Sequence, residues 1–270
     1  MANDWKRTLG DSSKPLVVLS GDVHHFALNR LPEFSYVNQY VNCVNQVDAS
    51  CTLFLTGRCI VENIRKVDTL MREYQDCVEF GGHTYSAQYI IMGGKYNIHN
   101  VKNIKVCRLL RSNLLKKLAI LYYFYDVSKC FKAFAKFGYT CVSWRTHAYR
   151  RSPTLYSQLL RFGFRVVSDV FSDIFSPFLD FGLLQVPITL ADDKLLPVHT
   201  ALYSPIRLFK SLKDNILNIV KKGSSACLQL HPLYMKVMGF ERMKDLIKPF
   251  YEHGYTFLKM KELLTRYKDI

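Results

Sequence analysis

The sequence predicts an α/β fold built on a parallel sheet or barrel, and three observations support this class. Short apolar runs alternate with segments of helical spacing along most of the chain. The runs are continuously apolar, which is typical of strands buried on both faces. Polar side chains follow several of these runs directly, and α/β folds place their sites at the carboxyl ends of parallel strands.

The first predicted strand covers residues 17–20 and continues into Gly21-Asp-Val-His-His25. Gly21 allows the backbone to bend or to approach another group closely. Because side chains alternate across a strand, Asp22 and His24 should share one face while His25 points to the other. A carboxylate beside an imidazole can bind a metal or transfer a proton, although a capping aspartate and a surface histidine would give the same pattern.

Two strand–helix units follow the first strand. Helices are predicted over residues 35–49 and 61–74, and strands over 51–57 and 77–83. Strand, helix and strand at this spacing indicate right-handed βαβ units. The third strand again ends in glycines and a histidine, His83.

The second half of the chain repeats these patterns without an internal sequence repeat. Ser-Pro pairs at 152–153 and 204–205 predict helix starts, with serine as the cap and proline at the first helical position. The remaining predicted elements are helices over 108–125 and 131–137, a strand over 139–144 that leads into Arg145-Thr-His147, strands over 164–169 and 186–190, a helix over 204–220, a strand over 227–230 that ends at His231, a helix over 243–252, a strand over 255–258 and a closing helix from 261.

Length and composition indicate one domain in a reducing compartment. Residues 1–14 are polar and are expected to form a loose arm, whereas no linker divides residues 15–270. The eight cysteines include no Cys-x-x-Cys pair and the start has no secretory signal, so we expect reduced thiols and a cytoplasmic location. No apolar run reaches the length of a membrane-spanning helix.

The net charge of +15 points to an anionic partner, although solubility alone would also account for it. Residues 95–136 hold ten Lys or Arg residues and one acid, Asp126. A basic insertion at about 91–126 is therefore predicted to contact an anionic membrane surface or an acidic glycan, the alternative being a barrel helix with a solvated basic face. Nucleic acid is not expected as a partner because no nucleic-acid-binding module is recognisable.

Taken in order, the strand ends resemble the polysaccharide deacetylase family, whose fold is a distorted parallel (β/α) barrel. The resemblance covers roughly residues 15–265, and no single motif is decisive without the others. The stretches that carry it are Ser20-Gly-Asp-Val-His24, His83-Thr-Tyr-Ser-Ala87, Trp144-Arg-Thr-His147, Leu228-Gln-Leu-His-Pro232 and His253-Gly-Tyr-Thr-Phe257.

The resemblance implies a metal-dependent hydrolase that removes an acetyl group from an N-acetylated sugar or a related amide. By position in the motifs, Asp22 would be the catalytic base, His231 the acid, and Arg145 the residue that orients Asp22. His24 and His83 would bind a divalent metal, with zinc as the expected ion.

Two departures from the family pattern affect the metal site. Ala87 stands where the family has its second histidine ligand, and His24 stands in place of the acidic ligand that is usual in the first motif. Two imidazoles with open water positions still form a candidate site. Other residues that could complete the ligand set are Asp22, His25, His147 and Gln88, although Asp22 as a ligand would leave the role of base vacant.

Substrate contacts are expected from Trp144, His147 and Leu230, and Leu228 or Leu230 could line a pocket for the acetyl methyl group. The alternative function is a catalytically inactive glycan- or anionic-surface-binding protein that keeps the barrel but has lost its metal. The alanine at position 87 favours this alternative.

Overall fold

The computed structural model describes residues 14–24, 33–85, 113–149, 152–196 and 198–267. In this part of the chain, ten strands form one curled sheet that makes a half-barrel, with helices packed against it. The predicted α/β class and the barrel type are confirmed. The predicted N-terminal arm and residues 91–112 of the predicted basic insertion lie outside the described residues.

The sheet is parallel apart from one hairpin. Its described strands are β1 (Leu16–Val23), β2 (Cys51–Leu55), β3 (Val78–Gly82), β4 (Ser143–Trp144), β5 (Val166–Val167), β6 (Phe178–Asp180), β7 (Leu183–Gln185), β8 (Leu190–Ala191), β9 (Ala226–Gln229) and β10 (Thr256–Phe257). They run in the order β6-β7-β5-β4-β3-β2-β1-β9-β8, with β10 also paired to β1, and only β6 and β7 are antiparallel. The carboxyl ends of β1, β3, β4 and β9 therefore lie along the same edge.

The helices connect successive strands. Those in the described ranges are α1 (Val37–Gln46), α2 (Gly57–Glu62), α3 (Ile64–Glu73), α4 (Asn113–Ala135), α5 (Pro153–Arg161), α6 (Asp192–Leu195), α7 (Val198–Tyr203), α8 (Pro205–Lys221), α9 (Pro232–Met238), α10 (Arg242–Glu252) and α11 (Met260–Arg266), with 3₁₀ helices at Glu33–Tyr36 and His147–Tyr149. The expected Ser-Pro start of α5 is confirmed, because Ser152 Oγ accepts a hydrogen bond from the amide of Leu155.

Strand β1 pairs with β2, β9 and β10, and all eight of its residues are buried. Val17 and Leu19 belong to the larger hydrophobic core. Leu16 and Val18 pack with Met260 and other residues in a second, smaller cluster. Because side chains alternate along a strand, Asp22 lies on the same face as Leu16 and Val18.

Gly21 permits the close contact between β1 and the end of β9. A Cβ atom at this position would lie 2.5 Å from the carbonyl oxygen of Leu230, a distance that no side chain tolerates. The amide of Leu230 also donates to the carbonyl of Ser20 at 2.7 Å. Because Gly21 has no side chain, the end of β9 can approach β1 closely. This approach places His231, which follows Leu230, close to Asp22.

Three predicted elements differ from the structure. Residues 113–135 form one helix rather than two, because Asp126-Val-Ser-Lys contains neither glycine nor proline to break it. The helix predicted over 61–74 is divided at Asn63, whose side chain donates to the carbonyl of Cys59 at the end of α2. The strand predicted over 186–190 is replaced by β7 and β8 on either side, since Pro187 cannot donate to a sheet ladder.

Among the described residues, none of the helices is long and apolar enough to cross a membrane. Helix α4 nevertheless exposes large side chains at Leu121, Phe124 and Tyr125. The ammonium group of Lys129 lies 4.3 Å from the centre of the Tyr125 ring, a cation–π contact on the same surface.

Candidate metal and acid–base site

The carboxyl ends of four strands surround one small cavity. Asp22 and His24 come from the end of β1, His83 follows β3, and His147 and His231 follow β4 and β9. The cavity has a volume of about 260 Å³ and is lined by Asp22, His24, His147, Tyr149, Asp193, Lys194 and His231. This is the strand edge at which the sequence predicts a site.

Three histidine nitrogens meet on one side of this cavity. His24 Nε2 lies 3.1 Å from His83 Nε2 and 3.1 Å from His147 Nδ1. His147 Nδ1 lies 3.3 Å from His83 Nε2, which closes the triangle. The sequence predicts the pairing of His24 and His83, and the structure adds His147 to it.

The protonation of His83 follows from its partner. His83 Nδ1 lies 2.7 Å from the carbonyl oxygen of Arg145, which can only accept, so Nδ1 carries the hydrogen and Nε2 presents a lone pair to the triangle. Burial also holds the pKa of His83 well below its ordinary value, which favours the neutral ring. A neutral imidazole held by a backbone carbonyl is the usual form of a histidine metal ligand.

The spacing of the three nitrogens fits a tetrahedral metal ion. Two zinc–nitrogen bonds of about 2 Å at the tetrahedral angle place their nitrogens about 3.3 Å apart, close to the three observed separations. The donor set of three imidazoles suits zinc and related transition metals. His24, His83 and His147 could therefore hold a divalent ion.

Asp22 lies beside this triangle in a buried ion pair with Arg145. Arg145 Nη1 donates to Asp22 Oδ1 at 3.0 Å, and both side chains are almost fully buried. Burial opposes ionisation of Asp22, yet the positive charge of the adjacent Arg145 guanidinium holds the pKa of its carboxyl well below the usual range. Asp22 is therefore an oriented carboxylate, and the contact with Arg145 that the family resemblance implies is present.

Hydrogen bonds to two serines hold the Arg145 side chain in place in addition to its ion pair with Asp22. Its Nη2 donates to Ser20 Oγ and Ser168 Oγ, both at 2.9 Å, and its Nε donates to the carbonyl of Ser168 at 3.0 Å. The guanidinium also lies 4.4 Å from the centre of the Phe54 ring. Together with the bond to Asp22, these contacts engage Nε and both Nη atoms and hold the fork against Asp22.

His231 forms a dyad with Asp192, which is not among the site residues predicted from the sequence. His231 Nδ1 lies 2.6 Å from Asp192 Oδ1, and the His231 amide donates to Asp192 Oδ2 at 2.6 Å. Burial alone would lower the pKa of His231, but the carboxylates of Asp192 and Asp22 raise it to about 10. His231 Nε2 faces Asp22 Oδ2 at 3.8 Å, so this dyad presents a potential proton donor beside the carboxylate.

Asp169 holds the turn that presents His147. Its carboxylate accepts from the amide of Thr146 at 2.6 Å, from Thr146 Oγ1 at 2.9 Å and from the Tyr156 hydroxyl at 3.1 Å. Burial raises the pKa of Asp169 to about 6. Asp169 is thus a buried support for the turn that carries the third histidine.

Two residues expected at the substrate are buried instead. Trp144 is fully buried, its ring packs edge-on against Phe164, and its Nε1 donates to Thr146 Oγ1 at 3.1 Å. Leu230 is also fully buried, within the large hydrophobic core. Neither side chain has exposed surface for a ligand. The expectation was wrong because, on short strands, alternation alone cannot show which side chains point into the core.

The sequence gives only weak signals for three further residues of the site, His147, Asp192 and Gln229. His147 was expected to contact substrate or to complete the metal shell, and its spacing of two from Arg145 was the available signal. Asp192 stands in Ala-Asp-Asp after a weak strand pattern, and Gln229 lies inside Leu-Gln-Leu-His-Pro. His25 and Gln88, two further candidates for the metal shell, lie outside the described residues, as does Ala87.

Comparison with known proteins identifies the fold. No protein-family model and no curated protein matches the chain. A putative polysaccharide deacetylase from Mycobacterium smegmatis superposes with a TM-score of 0.68 at 12% identity, over 96% of this chain and 93% of that one. A peptidoglycan deacetylase from Bacillus subtilis gives 0.58 at 14% identity, over 96% and 94%.

A further similar structure is a CE4 family pseudoenzyme from Bacillus anthracis, with a TM-score of 0.59 at 14% identity over 95% of this chain and 67% of that one. A mutant of that pseudoenzyme with restored enzymatic activity gives the same TM-score at 15% identity, over 95% and 70%. At these identities the likeness shows the fold, so the chain has the polysaccharide deacetylase fold that its motifs resemble.

Proposed function

We propose that this protein is a metal-dependent hydrolase that removes the acetyl group from an N-acetylated sugar or a related amide. The observation that carries the proposal is the convergence of three histidine nitrogens within 3.1–3.3 Å of one another beside two acid–base groups. The shared fold supports it, since several proteins with this fold are described as deacetylases.

The metal ligands in this proposal are His24, His83 and His147, with zinc as the expected ion. The chemistry that such an ion supplies is polarisation of a carbonyl oxygen and activation of water. The third imidazole compensates for the alanine at position 87, where the family resemblance expects a histidine. It also frees Asp22 from coordination, because three protein ligands are sufficient for a catalytic zinc site.

Asp22 acts as the general base. Arg145 holds its Oδ1, so Oδ2 is the oxygen that can take a proton from the attacking water. The water oxygen then bonds to the carbonyl carbon of the acetamide. The ion pair keeps Asp22 ionised and aligned, and the proton that Asp22 takes from water is later passed to His231, which has given its own to the leaving amine.

His231 acts as the general acid. Asp192 binds Nδ1 and keeps the ring oriented, so the proton on Nε2 can pass to the amide nitrogen of the substrate. The C–N bond then breaks and releases acetate and an amine. Asp22 and His231 face each other across 3.8 Å, which allows both to reach one substrate group.

The second candidate is a catalytically inactive glycan- or anionic-surface-binding protein of the same fold. The pseudoenzyme among the similar structures favours this alternative, as does Ala87. Contact of the basic segment with an anionic membrane surface or an acidic glycan remains a prediction from charge, to be tested by salt-sensitive sedimentation with anionic vesicles.

Metal analysis combined with an activity assay separates the two candidates. The purified protein should hold one divalent ion per chain and release acetate from an N-acetylglucosamine oligosaccharide. His83→Ala should abolish both properties together. A protein that binds no metal and releases no acetate, but still binds the oligosaccharide, would establish the inactive alternative.

A further inference from the structure

Gln229 is a fully buried glutamine at the end of β9, between the two proposed acid–base groups. Its amide nitrogen lies 3.1 Å from Asp22 Oδ2 and 3.1 Å from His231 Nε2. A primary amide carries two hydrogens, so one can serve each partner. Gln229 therefore contacts both groups, and it can donate to the imidazole only when Nε2 of that ring carries no proton.

Tyr149 fixes the orientation of this amide. The Tyr149 hydroxyl donates to Gln229 Oε1 at 2.7 Å and lies 3.3 Å from Asp193 Oδ2. If the amide were reversed, its oxygen would face the carboxylate of Asp22, which is electrostatically unfavourable. The tyrosine hydroxyl thus helps to keep the NH₂ group directed at the acid–base pair.

The backbone at Tyr149 is itself unusual. Its φ angle is +57°, in the left-handed region that residues other than glycine seldom adopt. Such conformations persist where the surrounding structure requires them, and they concentrate at functional sites. Here the conformation occurs two residues after His147 and accompanies the contact of the hydroxyl with Gln229.

We propose that Gln229 is a positioning residue that holds Asp22 Oδ2 and His231 Nε2 in register, and that Tyr149 acts by orienting the Gln229 amide. This inference rests on the proposed function. The bond to His231 exists only while Nε2 carries no proton, so the amide holds the ring after the proton has left. When Nε2 is protonated again, Gln229 keeps its bond to Asp22 alone.

The chain supplies a matched control in Gln185. This glutamine is also fully buried at the end of a strand, and its Oε1 lies 3.2 Å from the Tyr156 hydroxyl, whose one hydrogen it shares with the Asp169 carboxylate. In the described part of the chain, the hydrogen bonds of Gln185 do not include Asp22 or His231. Gln185→Met therefore removes a buried amide of the same size without touching the acid–base pair.

The test is a double-mutant cycle on the zinc-loaded protein with an N-acetylglucosamine oligosaccharide as substrate. Gln229→Met should lower kcat by about 10- to 100-fold, with KM and zinc affinity within about twofold of the wild type. Tyr149→Phe should lower kcat less, and the double variant should lose no more than Gln229→Met alone. Gln185→Met should leave kcat within about twofold.

The possible failures are distinguishable. A wild-type protein without zinc-dependent acetate release overturns the proposed function and this inference together. An active wild type in which Gln229→Met and Gln185→Met have equal kcat values overturns this inference alone. Independent, multiplicative losses in Tyr149→Phe and Gln229→Met would show that Tyr149 does not act through the amide.

Discussion

Asp22 and Arg145 are separated by 123 residues in the chain, yet Arg145 Nη1 lies 3.0 Å from Asp22 Oδ1 in a pair that is almost fully buried. The contact spans the sheet from β1 to the end of β4. A buried charge without its partner is costly, so the two side chains require each other. The same pair orients the proposed base and connects two distant strands.

Arg145→Met should destabilise the fold by about 3–5 kcal/mol, because it leaves the Asp22 carboxylate buried and unpaired. Urea unfolding measures this change. Arg72→Met is the matched control: Arg72 Nε also lies 3.0 Å from an aspartate oxygen, that of Asp68, but the side chains are 78% and 35% exposed. Its loss should cost less than about 1 kcal/mol. Equal losses in the free energy of unfolding for Arg145→Met and Arg72→Met would contradict the argument that burial makes the Asp22–Arg145 pair costly to break.

His147→Ala should weaken zinc binding by at least about 100-fold, because it removes one of three proposed ligands. The measurements are bound zinc per chain and the rise in Tm on addition of zinc. His253→Ala serves as the control, since His253 Nδ1 contacts the carbonyl of Pro249 and lies outside the site. Wild-type zinc affinity in His147→Ala would rule out Nδ1 as a ligand and leave His24 and His83 as an incomplete pair.

Asp22→Asn should lower turnover by about 10²–10⁴-fold while zinc remains bound, because an amide cannot accept the water proton but fills the same space. Acetate release and metal content are measured on the same preparation. If zinc is lost along with activity, Asp22 is a ligand rather than the base. The choice between these two roles was left open by the sequence.

The sequence is informative wherever a strand is long and ends in a polar residue. β1 has eight buried residues, so its alternation placed Asp22 and His24 on one side, and both line the cavity. The sequence likewise predicts that His83 and His231 stand at the ends of strands. Because parallel strands share an edge, these residues could be expected to meet before their distances were known.

The failures occur where the strands are short. β4 has two residues, so its pattern could not show that Trp144 points into the core while His147 turns toward the metal site. The role of Gln229 depends on a contact across three strand ends, which no local pattern encodes. The continuity of α4 is a further case, since the sequence there is apolar almost all round and lacks a clear period.

The alkaline limb of the pH–rate profile should be set by His231. Its pKa is raised to about 10, against the effect of burial, chiefly by the neighbouring Asp192 carboxylate. As a general acid His231 must be protonated, so kcat/KM should fall as the pH rises through about 10. Asp192→Asn removes the negative charge and should move this limb down toward the ordinary histidine range near about 6.5.

The neighbouring carboxylate provides the control for this shift. Asp193 also raises the pKa of His231, but it does so less than Asp192, which bonds the ring directly. Asp193→Asn should therefore move the alkaline limb by a smaller amount in the same direction. An alkaline limb that stays in place in Asp192→Asn would mean that another group supplies the proton to the leaving amine. A larger shift in Asp193→Asn than in Asp192→Asn would contradict the dyad as the source of the raised pKa.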